Sequence, residues 1–225
     1  MERQIDLQAV SDGRLYGPND MVKTDTRDCE GCSSCCHGMG TSIVLDPLDV
    51  HRLTQAAGCT FEQLLDQYLE LNVVDGLILP NLKMQEATEA CAFLNEQGRC
   101  RIHGVRPGIC RLFPLGRLYE NRSFRYFLQV HECSCRNRSK IKVKKWIGEQ
   151  EYARYEAFVI DWHYFLKDLQ ELLREEGSET VRKQAAMLIL NRFYVQGFDR
   201  ESSFYSQFSQ RLSGLKRELG MEEAE

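Results

Sequence analysis

The residues best equipped for chemistry are the thiols. The stretch CEGCSSCC, Cys29 to Cys36, puts four of them within eight residues, with Cys29, Cys32 and Cys35 standing at C-x2-C-x2-C. Two intervening residues let the chain loop so that successive sulfurs face one centre, a spacing shared by zinc knuckles and iron–sulfur clusters. A redox dithiol needs only two sulfurs, and three in register point instead to a metal. Cys36 is different. Adjacent side chains diverge, so Cys35 and Cys36 are poor equivalent ligands of one small ion. Cys36 is either a packed thiol or a ligand reaching toward a second centre.

Five further cysteines, Cys91, Cys100, Cys110, Cys133 and Cys135, lie downstream, and with the first four they make nine, enough for two four-ligand sites. Cys133 and Cys135 would share a face on a strand, whereas a loop would present one of them. Cys59 stands alone before a capping threonine and reads as a small buried apolar residue. His103, three residues after Cys100, is a minor ligand candidate; His37, His51 and His131 are weaker ones, and His163 reads as an ordinary helix residue. Pro107 fixes a turn that would present Cys110. Arg106 and Arg111 either offset the charge of a thiolate centre or form ordinary salt bridges.

The elements that must position these thiols read as an α+β chain. Residues 1–28 are polar and mixed, an arm or a poorly paired strand, ahead of a Gly/Ser-rich loop in which Gly31, Gly38 and Gly40 supply unusual backbone angles. Asp46-Pro47 opens a helix that Gly58 ends, and Thr60 with Gln63 opens a second whose apolar positions run to Leu71. GLILP, CAFL, RCRI, GRLYE and FRYFLQV read as short strands, the last two as a hairpin turning near Asn121. After Ser139 the chain turns helical. Tyr152, Tyr155, Val159, Trp162, Leu166, Leu169 and Leu173 form a 3-4 seam, expected to pack within the chain, that Gly177-Ser178 ends; two more helices follow, around 179–195 and 201–218. The expected layout is an arm (1–28), a cysteine-rich α+β unit with two helices and short antiparallel strands (29–138), and a helical C-terminal unit (139–225).

The totals exclude several classes. With 225 residues, 43% apolar and 28% charged, the chain can build a core, and a net charge of −4 gives no general pull toward nucleic acid or anionic membrane. No segment approaches the about 20 apolar residues of a membrane span, and the N-terminus lacks the apolar core of a signal peptide. The expectation is a cytoplasmic protein, monomer or weak dimer, with reduced thiols. The run RNRSKIKVKK (136–145) carries six basic residues in ten; it reads as a solvated linker or, more sharply, as a docking site for an acidic protein partner, and it lacks the aromatic platform of a nucleic-acid binder.

CEGCSSCC matches the C-x2-C-x2-C-C signature of the YkgJ-like cysteine-cluster family of zinc- or iron-chelating domains. CAFLNEQGRCRIHGVRPGICRLFP is similar to that family's second signature, with His103 in a slot where the family has an aromatic. The resemblance covers roughly residues 29 to 135. It implies ligands drawn from Cys29, Cys32, Cys35, Cys36, Cys91, Cys100, Cys110 and one of Cys133 and Cys135. Similar clusters occur in flagellin lysine methylases, which makes a protein-modifying enzyme one alternative. The motif resembles a cubane ferredoxin pattern without its x3-C-P continuation, and the second C-x2-C knuckle typical of zinc sites is missing. That asymmetry favours an iron–sulfur cluster of 4Fe-4S type, serving electron transfer or a redox or modification reaction with a partner; a structural zinc adaptor is the alternative.

Overall fold

The computed structural model describes residues 6–24, 32–133 and 139–221. The chain begins with a single helical turn, α1 (Leu7–Val10), and two strands, β1 (Ser11–Tyr16) and β2 (Met21–Thr24). Residues 6–24 of the polar N-terminal stretch are therefore structured. β1 pairs antiparallel with β6 (Ser123–Gln129), which pairs in turn with β5 (Leu115–Glu120) to give a three-stranded sheet in the order β1-β6-β5. β2 pairs with β7 (Ser139–Lys142), Thr24 opposite Ser139. Part of the basic run is thus a strand, and it leads into α5 (Val143–Ile147).

α2 (Pro47–Ala57) starts as its sequence dictates: Asp46 and Asp49 form a reciprocal capping box, proline occupies the first turn, and Gly58 ends the helix with φ +64°. α3 (Phe61–Gln67) has the same box from Thr60 and Gln63. It is shorter than its apolar pattern suggested, because Leu69 and Leu71 belong to β3 (Leu69–Val74), which pairs antiparallel with β4 (Leu77–Leu82) across an Asp75-Gly76 turn. Tertiary pairing here overrides helical spacing. The β5–β6 hairpin turns at Asn121-Arg122, both at positive φ, as expected. CAFL and RCRI are not strands. They are turns joined by isolated bridges, Met84 with Cys91 and Leu94 with Cys100.

The C-terminal part contains α6 (Tyr152–Glu176), α7 (Glu179–Leu190), a π-helical turn (Asn191–Val195) and α8 (Phe204–Glu218). The seam of α6 is buried within the chain: Tyr155, Val159, Trp162, Leu166, Leu169 and Leu173 all lie in the core. Trp162 meets Phe165, Phe193, Tyr194 and Phe208 at centroid distances of 5.1–6.3 Å. One continuous apolar cluster runs from Val22 and Leu45 through Leu79 and Phe93 to Phe208 and Leu215. Among the described residues no helix is long and apolar enough to cross a membrane.

Candidate metal centre

Four segments bring thiols together. The first is a single 3-10 turn, Ser34–Cys36, closed by the Cys36 amide on the Ser33 carbonyl at 2.8 Å. Gly38 (φ +65°) then turns the chain so that its amide reaches the Glu89 carbonyl at 2.9 Å, while the Cys91 amide donates to the Cys36 carbonyl at 2.8 Å. The second segment, around Cys91, is thereby laid alongside the first. The third carries Cys100, bridged to Leu94 over a tight turn in which Asn95 Oδ1 accepts from the Gln97 and Arg99 amides. The fourth is α4 (Gly108–Leu112), a five-residue helix that carries Cys110.

The thiols of these four segments lie within electrostatic reach of one another. Burial, then Asp49 and the neighbouring Cys91, Cys35 and Cys100, push the Cys110 thiol far up. Burial first, with Cys100 and Cys35 after it, raises Cys91. Burial and Cys35 raise Cys100, against which Arg106 and Arg99 pull the other way. A hydrogen bond with Cys36, then burial and the charges of Cys36 and Cys32, drive Cys35 up most of all. Thiolates crowded in partial burial repel one another, and a bound cation removes that repulsion. The amide of Phe93 stabilises the thiolate of Cys91 and the amide of Ile102 that of Cys100, each donor two residues beyond its sulfur. A chain wrapped so that backbone donors face its sulfurs suits a thiolate-ligated metal, so the donor set fits such a group. Among the described residues no three Cys, His, Asp or Glu side chains converge tightly enough to grip a single ion.

The remaining sequence candidates fall as follows. Cys32 and Cys36 sit beside Cys35 and interact with its thiol. Cys133 is partly buried just beyond β6. Cys29 and Cys135 lie outside the described residues. Cys59 is partly buried and packs on the apolar core. His103 Nε2 is engaged by Arg106 Nη1 at 2.6 Å, which makes it a hydrogen-bond partner in this structure, and His37 Nδ1 contacts the Ser33 carbonyl at 3.0 Å. Arg111 is salt-bridged: its Nη1 meets Glu149 Oε1 at 2.6 Å, and Glu149 also holds both terminal nitrogens of Arg52 at 2.7 and 2.8 Å.

Sequence reasoning missed Glu149 and Asp49 as supports of the site. Glu149 is 38 residues from Arg111, and no local pattern announces the pair. Asp49 carries no signal of this role in the sequence; its approach to Gly108, 59 residues away, is purely tertiary.

Residues 28–137 match the model of the CxxCxxCC family, described as a "putative zinc- or iron-chelating domain". No curated protein and no solved structure is similar enough to match the chain. The class these residues resemble is that of proteins that bind a metal through clustered cysteines. More particularly, residues 28–137 are similar to the CxxCxxCC zinc- or iron-chelating domain.

Proposed function

We propose that the chain holds an iron–sulfur centre through cysteine thiolates and uses it in electron transfer, or in a redox or modification reaction, with a partner protein. The observation that carries this reading is that Cys35, Cys91, Cys100 and Cys110, drawn from segments up to 75 residues apart, lie within electrostatic reach of one another. Cys29, Cys32 and Cys36 and the Cys133/Cys135 pair complete the candidate ligand set. The missing second C-x2-C knuckle favours a cluster over zinc. When bound, such a cluster supplies one-electron chemistry. The chain's own residues set its surroundings: the Phe93 and Ile102 amides face sulfurs, and Arg99 and Arg106 place positive charge beside Cys100.

The partner end of the reading rests on the basic run. Lys140, Lys142, Lys144 and Lys145 are exposed along β7 and α5, a surface suited to an acidic protein. A reducing compartment such as the cytoplasm would keep these thiols available.

The experiment is purification without air, followed by joint measurement of iron, acid-labile sulfide and zinc. Brown protein with matched iron and sulfide is expected, and Cys110→Ser and Cys91→Ser each lose the absorption. Colourless protein with stoichiometric zinc overturns the cluster and leaves the zinc adaptor.

A further inference from the structure

The helix that carries Cys110 is too short to hold itself. α4 has five residues, and an isolated helical turn is unstable in water. Its opening amides need acceptors, yet the N-cap position is Pro107, which makes no side-chain cap. The missing acceptor comes from elsewhere in the fold. Asp49, at the start of α2 and 3% exposed, places Oδ1 2.7 Å from the Gly108 amide, 59 residues away.

Both partners of that contact are themselves fixed. Asp49 Oδ2 accepts the Asp46 amide at 3.2 Å while Asp46 Oδ1 accepts the Asp49 amide at 2.8 Å, so the capping box of α2 sets the Asp49 rotamer. On the other side, a Cβ on Gly108 would come within 3.0 Å of Tyr155 Oη, and Arg117 Nη2 holds that hydroxyl at 2.7 Å. One turn further along α2, Arg52 reaches Arg111 through Glu149. α2 thus grips the Cys110 turn at both its beginning and its end.

We propose that Asp49 is a positioning residue for the thiolate centre: it caps α4 from a distance and so sets where Cys110 presents its sulfur. The inference rests on Cys110 being a ligand. It adds that metal affinity depends on a carboxylate that touches no metal.

Cobalt(II) binding by the full-length reduced protein, read in competition with a chromogenic chelator and through the sulfur-to-cobalt absorption band, is the test. Asp49→Leu is expected to weaken binding about 10–100-fold and to alter the band, the scale of losing an outer-shell support. Asp49→Asn keeps one acceptor oxygen for the Gly108 amide while losing the acceptor of the Asp46 amide, and recovers part of that loss. Leu53→Ala, a core truncation on the same helix, lowers the melting temperature while leaving affinity and band in place. Wild-type cobalt binding by Asp49→Leu, with Cys110→Ser weakened, overturns the positioning role alone. Wild-type binding by Cys110→Ser overturns the ligand assignment and the positioning role with it. Should Asp49→Leu fail to fold, Gly108→Ala displaces the same amide by its contact with Tyr155; it is expected to bind cobalt(II) as weakly, and wild-type affinity there overturns the proposal.

Discussion

The two halves of the molecule are held by different means. Around the thiols, turns are joined by single hydrogen bonds and isolated bridges, and Cys32, Cys35, Cys36, Cys100 and Cys110 are all partly exposed. In the helical half, Phe165, Leu169, Ile189 and Leu215 are fully buried, and Trp162, Phe193 and Phe208 pack edge to face and tilted. Both halves contribute to one apolar cluster, Leu45, Leu53, Leu79 and Phe93 from the first and Phe165, Leu169 and Phe208 from the second; the turns that carry the thiols add little to it. The difference teaches that the thiol loops gain their stability from the elements that frame them.

Removing the metal strains that contrast most. Thiolate centres contribute apparent binding free energies of order 10 kcal/mol to the domains they organise. Chelation should raise hydrogen exchange in residues 32–40 and 83–112 while α6 and α8 stay protected. Uniform loss of protection along the chain would erase the distinction between the halves.

Truncation in the helical half comes next. Trp162→Ala removes a 5% exposed side chain from the aromatic cluster and should cost about 3–5 kcal/mol in urea unfolding, with metal content per folded molecule unchanged. A comparable loss of metal would mean that the halves share more than a boundary.

Glu149→Ala probes that boundary. It leaves Arg52 and Arg111 without their carboxylate, and because Arg52 is 24% exposed the cost is about 2 kcal/mol, below that of a fully buried pair. Burial alone would raise Glu149, but the Arg52 hydrogen bond and the charges of Arg111 and Arg52 outweigh it and hold the carboxyl below its ordinary value. Its contribution is therefore present above the unfolded pKa and lost as pH falls through the folded one. The variant's deficit should shrink toward acid, as denaturation at several pH values would show.

The last effect has the opposite sign. Burial and the neighbouring Asp49 push Asp46 up from 3.8 to about 8. A proton held more tightly in the folded state favours folding at low pH, and this advantage is lost as pH rises from about 4 through about 8. Asp46→Asn should flatten stability across that interval. An unchanged slope would place the titration elsewhere.

Much of this was legible in the sequence. The Asp46 cap of α2, the capping box of α3, the β5–β6 hairpin and the 3-4 seam of α6 all depend on neighbours along the chain, and all stand where their residues put them. The run from Cys91 to Cys100 did not read correctly: short apolar pairs such as Ala92-Phe93 resemble strand, but the turns at Asn95 and Gly98 allow only isolated bridges. α3 was overextended because Leu69 and Leu71 continue a helical rhythm that pairing with β4 overrules. At the site the thiols announced themselves by spacing. Their supports did not, since the Asp49–Gly108 and Glu149–Arg111 contacts join residues with no shared local pattern.

The β2–β7 pairing carries a consequence for how the molecule recovers from damage. Thr24 opposite Ser139 pins together the two points at which the cysteine-bearing stretch leaves and re-enters the rest of the chain. With its ends already joined, that stretch has less conformational freedom to surrender on each return to order, since closing a long loop is an entropic cost that the clasp meets once. A turn within that stretch that loses order then re-forms between ends that are already joined.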